Sequence, residues 1–232
     1  EKARAKFSTA NFTKHKFGIF NVKKDTTYYV SFSNLTGIKE SPKYYQEYEN
    51  LKNDSEYDIP IVMQSPVYSP DGKNAVLEIR SQDNKHRWMV QLDLVSGKIT
   101  ELDHQHDEAW IGGPGIPNYS FGGGTLGFID NVTFYFQSEA TGFSHLYIYN
   151  FKTKKKEALT KGNWEVREVK LSNDKKSFYI ITTTTHPGNR SFYKLDIASK
   201  KMTAILTNDG NYEVELSPDE KTLLVRYSYK NK

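Results

Sequence analysis

The residues best able to do chemistry lie in one stretch, Leu102 to Gly124, LDHQHDEAWIGGPGIPNYSFGGG. His104, His106, Asp107 and Glu108 fall within five positions of it, and Ser120 stands just before a run of glycines. A metal site is the first chemistry to weigh. Residues i and i+2 of a strand share a face, so His104 and His106 could converge on an ion, but zinc needs a third protein ligand and the spacing supplies none. A nucleophile is the second. NYSFGG at Asn118–Gly123 approaches the Gly-x-Ser-x-Gly-Gly elbow, in which a buried strand turns sharply into a helix. Here Asn118 occupies the first glycine position, the preceding GGPGIP cannot form a buried strand, and the following GTLGFIDNVTFYF reads as strand. The other near match, GFSHL around Ser144, lacks the second glycine, and no acid and histidine follow either serine in a context suited to a triad. A phosphate cradle at Gly112–Gly115 or Gly122–Gly124 would need a helix N-terminus after it. The chain is therefore expected to carry no catalytic residue, no metal and no cofactor of its own.

Repetition shows what positions this stretch. Three turns align: SPDGK from Ser69, SNDKK from Ser172 and SPDEK from Ser217. The last two are 45 residues apart and the first two 103, which leaves room for one more copy, GFIDNVTFYF around Asp130 with a degenerate turn. A second landmark aligns on Asp93, Asn150 and Asp196, each followed nine positions on by an apolar residue, Leu102, Leu159 or Ile205. A third, DEAW from Asp107, NWEV from Asn163 and NYEV from Asn211, marks a recurring strand start. Each unit reads as four short strands joined by Asp-Gly or Ser-Gly type turns, the pattern of a propeller blade.

The expected fold is all-β, a partial β-propeller of about four to five four-stranded blades, roughly 1–64, 65–105, 107–161, 162–207 and a partial 208–232. FGIFNVKKDTTYYVSF is the clearest hairpin of the N-terminal blade. A short helical insertion is expected near 40–56, where Tyr44, Tyr45, Tyr48 and Leu51 recur at helix-like spacing; it either packs its tyrosines or forms an arm towards a substrate. The tail, LSPDEKTLLVRYSYKNK, ends after about two strands and would leave a bare sheet edge, so more protein is expected after Lys232.

Composition limits the partners. The 232 residues are 37% hydrophobic and 26% charged, a globular balance, and 16 Tyr and 13 Phe favour pleated strands. The net charge of +4 is well mixed except for the run Lys152–Lys156, which reads as a solvated turn; nucleic acid is not an expected partner. Without cysteine there is no disulfide or thiolate site, and no apolar stretch approaches the roughly 20 residues of a membrane helix, so no membrane span is expected.

Gly142-Phe143-Ser144-His145 followed by Thr160-Lys161-Gly162-Asn163-Trp164-Glu165-Val166 resembles the propeller of prolyl oligopeptidase-type (S9) serine peptidases, specifically the dipeptidyl peptidase IV group. The resemblance is specific over about Asp107–Ile197 and looser over Gln64–Gln105. It implies a non-catalytic propeller that gates and orients a peptide substrate for an α/β-hydrolase domain, placed C-terminally in the same polypeptide and holding the Ser-Asp-His triad. It also implies an exported protein, periplasmic or secreted in a bacterium. AWIGGPGIP at Ala109–Pro117 looks like the family's Trp-aliphatic-Gly-Arg-Phe-Arg-Pro substrate loop, with Trp110, Ile111 and Gly112 matching. Gly113, Pro114 and Gly115 replace its bulky, cationic positions, so an arginine partner for a substrate carbonyl is missing. Glu47 and Glu49 in YQEYEN stand in for the family's acidic motif that holds a peptide N-terminus, though the motif itself is not matched. Two rival readings are a stand-alone binding or scaffold propeller of the cell envelope and a self-contained hydrolase using Ser120 or the histidines.

Overall fold

The computed structural model describes residues 16–41, 43, 47–49, 58–117 and 124–229. Their regular structure is antiparallel strand joined by turns, and the chain divides into two compact units. The first unit is Glu1–Pro66 with Lys73–Ile111, and the second is Val67–Gly72 with Gly112–Lys232.

The first unit opens with a hairpin of β1 (Gly18–Asn21) and β2 (Thr26–Tyr29), the pairing expected from FGIFNVKKDTTYYVSF. Its main sheet runs β3 (Ile61–Met63), β5 (Ala75–Ser81), β6 (His86–Leu92) and β7 (Ile99–His106) in that order. One face of β5 and β6 presents Ala75, Leu77, Ile79, Trp88, Val90 and Leu92 to a core closed by Val30, Leu35, Ile38 and Ile59. The other face of β5 is also buried and sets Glu78 and Arg80 beside Val76. There Arg87 Nε donates to Glu78 Oε1 at 2.6 Å, Arg87 also reaches Gln105, and Gln105 Nε2 donates to Asp103 Oδ2. This pairing is what lets a charged residue sit at the centre of a strand, since an unpaired buried charge is costly.

The second unit holds β4 (Val67–Tyr68) and two four-stranded sheets with every strand antiparallel to its neighbour. The first sheet is β8 (Leu126–Phe128), β9 (Thr133–Ser138), β10 (His145–Asn150) and β11 (Lys155–Ala158). The second is β12 (Val166–Leu171), β13 (Ser177–Thr182), β14 (Ser191–Asp196) and β15 (Met202–Leu206). A last hairpin pairs β16 (Asn211–Leu216) with β17 (Leu223–Ser228). Leu146 and Leu159 of the first sheet pack with Val166, Phe178, Ile180 and Leu195 of the second, and Tyr179, Ile181 and Phe192 pack with Leu216 of the last hairpin. A sheet apolar on both faces in this way is buried on both sides.

The repeated turns have one physical design. Ser69, Ser172 and Ser217 each donate Oγ–H to the carboxylate two residues on, at 2.6–2.7 Å. The serine carbonyl then accepts from the N–H three residues on, at Gly72, Lys175 and Glu220. That third residue has φ of +69°, +59° and +59° respectively, so the turn chemistry is kept even where a lysine or glutamate replaces glycine.

One expectation changes. DEAW at Asp107–Trp110 is not a strand start: among the described residues no strand begins between His106 and Leu126, and Asp107 Oδ1 accepts from the N–H groups of both Ala109 and Trp110 and curls the backbone. The helical insertion expected at 40–56 falls mostly outside the described residues, Tyr44, Tyr45 and Leu51 included, and Tyr48 is exposed.

Candidate functional site

The exit of β7 carries the first candidate. Strand β7 runs through His106, and the chain then turns on Asp107, whose carboxylate the two backbone N–H donors hold below its usual range. Trp110 follows and is 58% exposed. The next residue, Ile111, is buried; its N–H donates to Asn84 O at 2.8 Å and its carbonyl accepts from Arg80. An exposed indole therefore stands on a backbone fixed at both ends. Exposed, rigidly held tryptophan is the side chain most suited to a contact surface. Glu47 and Glu49 are both exposed, and Lys43, four positions before Glu47, pairs with Glu108 of this turn at 3.0 Å.

Gly113, Pro114 and Gly115 lie in the second unit and form a tight turn against β9. Gly113 and Gly115 have φ of +99° and +70°. A Cβ on Gly115 would fall 1.9 Å from Gln137 Oε1, and one on Gly113 would fall 2.0 Å from Glu139 Oε1. Pro114 O accepts from Ser144 Oγ at 2.7 Å and from Gln137 Nε2 at 3.3 Å. The glycines that depart from the family's cationic loop are thus required by close approach of backbone to β9. Ser144, one of the two serines weighed as a nucleophile, is fully buried with its hydroxyl committed to that carbonyl. Ser120 and the rest of Asn118–Gly123 lie outside the described residues.

The histidines form a stack. His86, which spacing alone does not single out, stands opposite His106 on the neighbouring strand. Its ring is 5.2 Å from His104 and 5.3 Å from Trp88, with interplanar angles of 5° and 8°. His86 Nδ1 meets His104 Nε2 at 3.0 Å, and Trp88 Nε1 donates to Thr36 O. Burial, followed by the like charges of His106 and His104, pushes the His86 pKa down to about 4, against Asp83 and Glu40, which act the other way. Burial also lowers His104. His86 Nδ1 and His104 Nε2 are engaged with each other, and among the described residues no group of three His, Asp or Glu is arranged to hold a metal ion.

His145 explains the motif that resembled the peptidases. It is fully buried and sits at the start of β10. Its Nε2 donates to Gly162 O at 2.9 Å, since a carbonyl can only accept, and its Nδ1 accepts from Thr160 Oγ1 at 3.0 Å. Thr160 Oγ1 in turn accepts from Leu146 N–H, and Trp164 packs edge-on to the imidazole at 4.9 Å. The motif is a clamp on the linker between two sheets.

Four-stranded antiparallel sheets, the turns of fixed chemistry and the clamped linker between two sheets define the class as a β-propeller. Residues 13–232 match the family described as the dipeptidyl peptidase IV (DPP IV) N-terminal region, and the chain belongs to that family. It is 36% identical to dipeptidyl peptidase 4 of Trichophyton rubrum over 132 residues, 56% of this chain and 16% of that protein. Over 73 residues it is 40% identical to dipeptidyl peptidase 4 of Arthroderma otae, 31% of this chain and 9% of the relative. The crystal structure of Porphyromonas gingivalis dipeptidyl peptidase 4 shares the fold with a TM-score of 0.62 at 17% identity, covering 92% of this chain and 26% of that one. The chain thus spans a small part of the relatives it matches, and the stand-alone scaffold reading is not favoured. Among the described residues no helix is long and apolar enough to cross a membrane.

Two outcomes are expected. Gly115→Ala should lower stability by about 3 kcal/mol or more, because its new Cβ must displace Gln137 from hydrogen bonds to Val166 O and Ser144 Oγ. Gly113→Ala should cost about 1–2 kcal/mol, since Glu139 is only half-buried and can swing away; urea unfolding of both variants checks the order. The second outcome concerns pH. An unfolded histidine takes up a proton near 6.5 while folded His86 resists until about 4, so stability should fall as pH falls through that window. His86→Gln should flatten the slope of the urea midpoint between pH 7 and about 4.5, and an unchanged slope would remove His86 as the cause.

Proposed function

We propose that this chain is the substrate-facing propeller of a dipeptidyl peptidase-type serine peptidase, gating and orienting peptides for a hydrolase domain of the same polypeptide. The observation that carries the reading is the exposed Trp110, held rigidly between the Asp107 turn and the buried Ile111, in a chain that belongs to the dipeptidyl peptidase IV N-terminal family. Trp110 offers an apolar plate to a peptide side chain or proline ring. Glu47 and Glu49, close in sequence to the Lys43 that pairs with Glu108 of the same turn, offer carboxylates to a free peptide N-terminus. The serines and histidines described above are engaged in the architecture, which fits a domain that selects substrate and leaves bond cleavage to another. Export from the cytoplasm belongs to the same proposal and rests on the sequence resemblance alone.

The test is peptidase activity of the full-length polypeptide on fluorogenic peptides with free or acetylated N-termini. Trp110→Ala should lower kcat/KM by about tenfold, mainly through KM, with the melting temperature unchanged, as expected when uniform binding is lost. Glu47→Gln with Glu49→Gln should erase the preference for a free N-terminus. No peptidase activity, or a Trp110→Ala enzyme equal to the parent, would overturn the proposal.

A further inference from the structure

Four of the six hairpin turns of the second unit's two large sheets, β8–β9, β10–β11, β12–β13 and β14–β15, gather at one end of those sheets, around a groove of about 700 Å³. That volume is in the range of sites that enclose a small ligand or a short peptide. One sheet contributes Lys155 and Lys156 to its lining, and the other contributes Lys175 and Lys176. Between them lie Ile129, Ile148 and Ile197. Ile148 and Ile197 are only half-buried where they extend the core shared by the two sheets, so the apolar lining is the core's open margin.

The charge around this groove is not balanced. The turns and their flanks hold eight lysines, at 152, 154–156, 175–176 and 200–201, against the four acids Asp130, Glu157, Asp174 and Asp196. The excess of four equals the net charge of the whole chain, so the rest of the sequence is neutral and the surplus sits here. The acids already have donors. Asp130 accepts from the N–H groups of Val132 and Thr133, Asp174 from Ser172 and Lys176, Asp196 from Ser199, and Glu157 pairs with Lys200. Lys155 and Lys175, one from each sheet, form no ion pair among the described residues.

From this juxtaposition we propose that the groove docks an acidic peptide segment carrying aliphatic side chains, its carboxylates meeting the lysines and its aliphatic groups covering the isoleucines. Charge complementarity selects an anion, and the apolar lining selects among anions. A sulfated or phosphorylated polymer would engage the lysines and leave Ile148 and Ile197 wet, whereas an extended peptide places side chains on alternate sides and can satisfy both. The inference is independent of the Trp110 reading and would survive its failure.

The probe is a short fluorescein-labelled peptide in which Glu alternates with Leu, titrated with the full chain and followed by fluorescence anisotropy at low salt. Saturable binding is expected. It should weaken by about tenfold or more in Lys155→Glu with Lys175→Glu, and by less than about twofold in Lys23→Glu with Lys24→Glu, which makes the same charge change on the β1–β2 turn. A peptide of Glu alternating with Ser, and phosphatidylserine vesicles or heparin at equal charge, should compete poorly. Absence of saturable binding, equal loss in the two double variants, or equal competition by the Glu-Ser peptide, the vesicles or heparin would overturn the proposal. If circular dichroism shows the Glu double variant unfolded, Lys155→Gln with Lys175→Gln replaces it, with an expected loss of about threefold and the same contrary outcomes.

Discussion

A single buried imidazole fixes the linker between the two large sheets of the second unit. His145 sits at the start of β10 and bonds both Thr160 and Gly162, so the chain leaving β11 is drawn back across the sheet end before it enters β12. The same junction is completed by Leu146 N–H on Thr160 Oγ1 and by Val166 N–H on Ser144 O. With the linker fixed, Leu146 and Leu159 meet Val166, Phe178 and Leu195, and the core between the two sheets closes. Each bond contributes about 1 kcal/mol net, but a buried carbonyl left without its donor costs about 1–3 kcal/mol, so the junction is made whole or fails together.

The first unit solves the same problem with different residues. His86 opens β6 as His145 opens β10, and its ring nitrogen faces His104 of the following strand where His145 faces Thr160. A histidine pair stacked on Trp88, His86 buried and His104 half-buried, stands where the second unit has a histidine–threonine pair, and the lowered pKa of His86 is the source of the pH dependence expected of that unit. Beyond this junction the chain turns on Asp107 and displays Trp110, so the scaffold and the proposed contact surface are adjacent consequences of one strand exit.

Much of this was legible in the sequence. Alternating aromatic and β-branched residues, the aligned Ser-x-Asp turns and the period of about 45 residues point to four-stranded sheets, and those sheets are present. The Gly-aromatic-x-His and Thr-Lys-Gly-x-Trp motifs mark the family, although their role as a clamp appears only when His145 is seen to bridge Thr160 and Gly162. The neighbour of His106 was harder to read. The β6–β7 register shifts between Met89 and Val90, and without that bulge His86 would face Gln105. No pattern of residue types announces such a one-residue shift. DEAW misled for a related reason: its likeness to NWEV and NYEV concerns residue types, whereas an aspartate with two following N–H groups in reach makes a turn. The glycines at 113 and 115 looked like losses from a substrate loop, and only their closeness to Gln137 and Glu139 shows why they are glycines.

Native-state hydrogen exchange on His145→Leu tests the clamp most directly, because leucine keeps the volume and removes both hydrogen bonds. The amides of Leu146 and Val166 should lose protection by about tenfold or more, together with neighbouring β10 and β12, while Leu77 and Val90 in the first unit keep theirs. Unchanged exchange at Leu146 and Val166 would contradict the account, and the role of the His145–Thr160–Gly162 bonds would then have to be sought in something other than holding the linker.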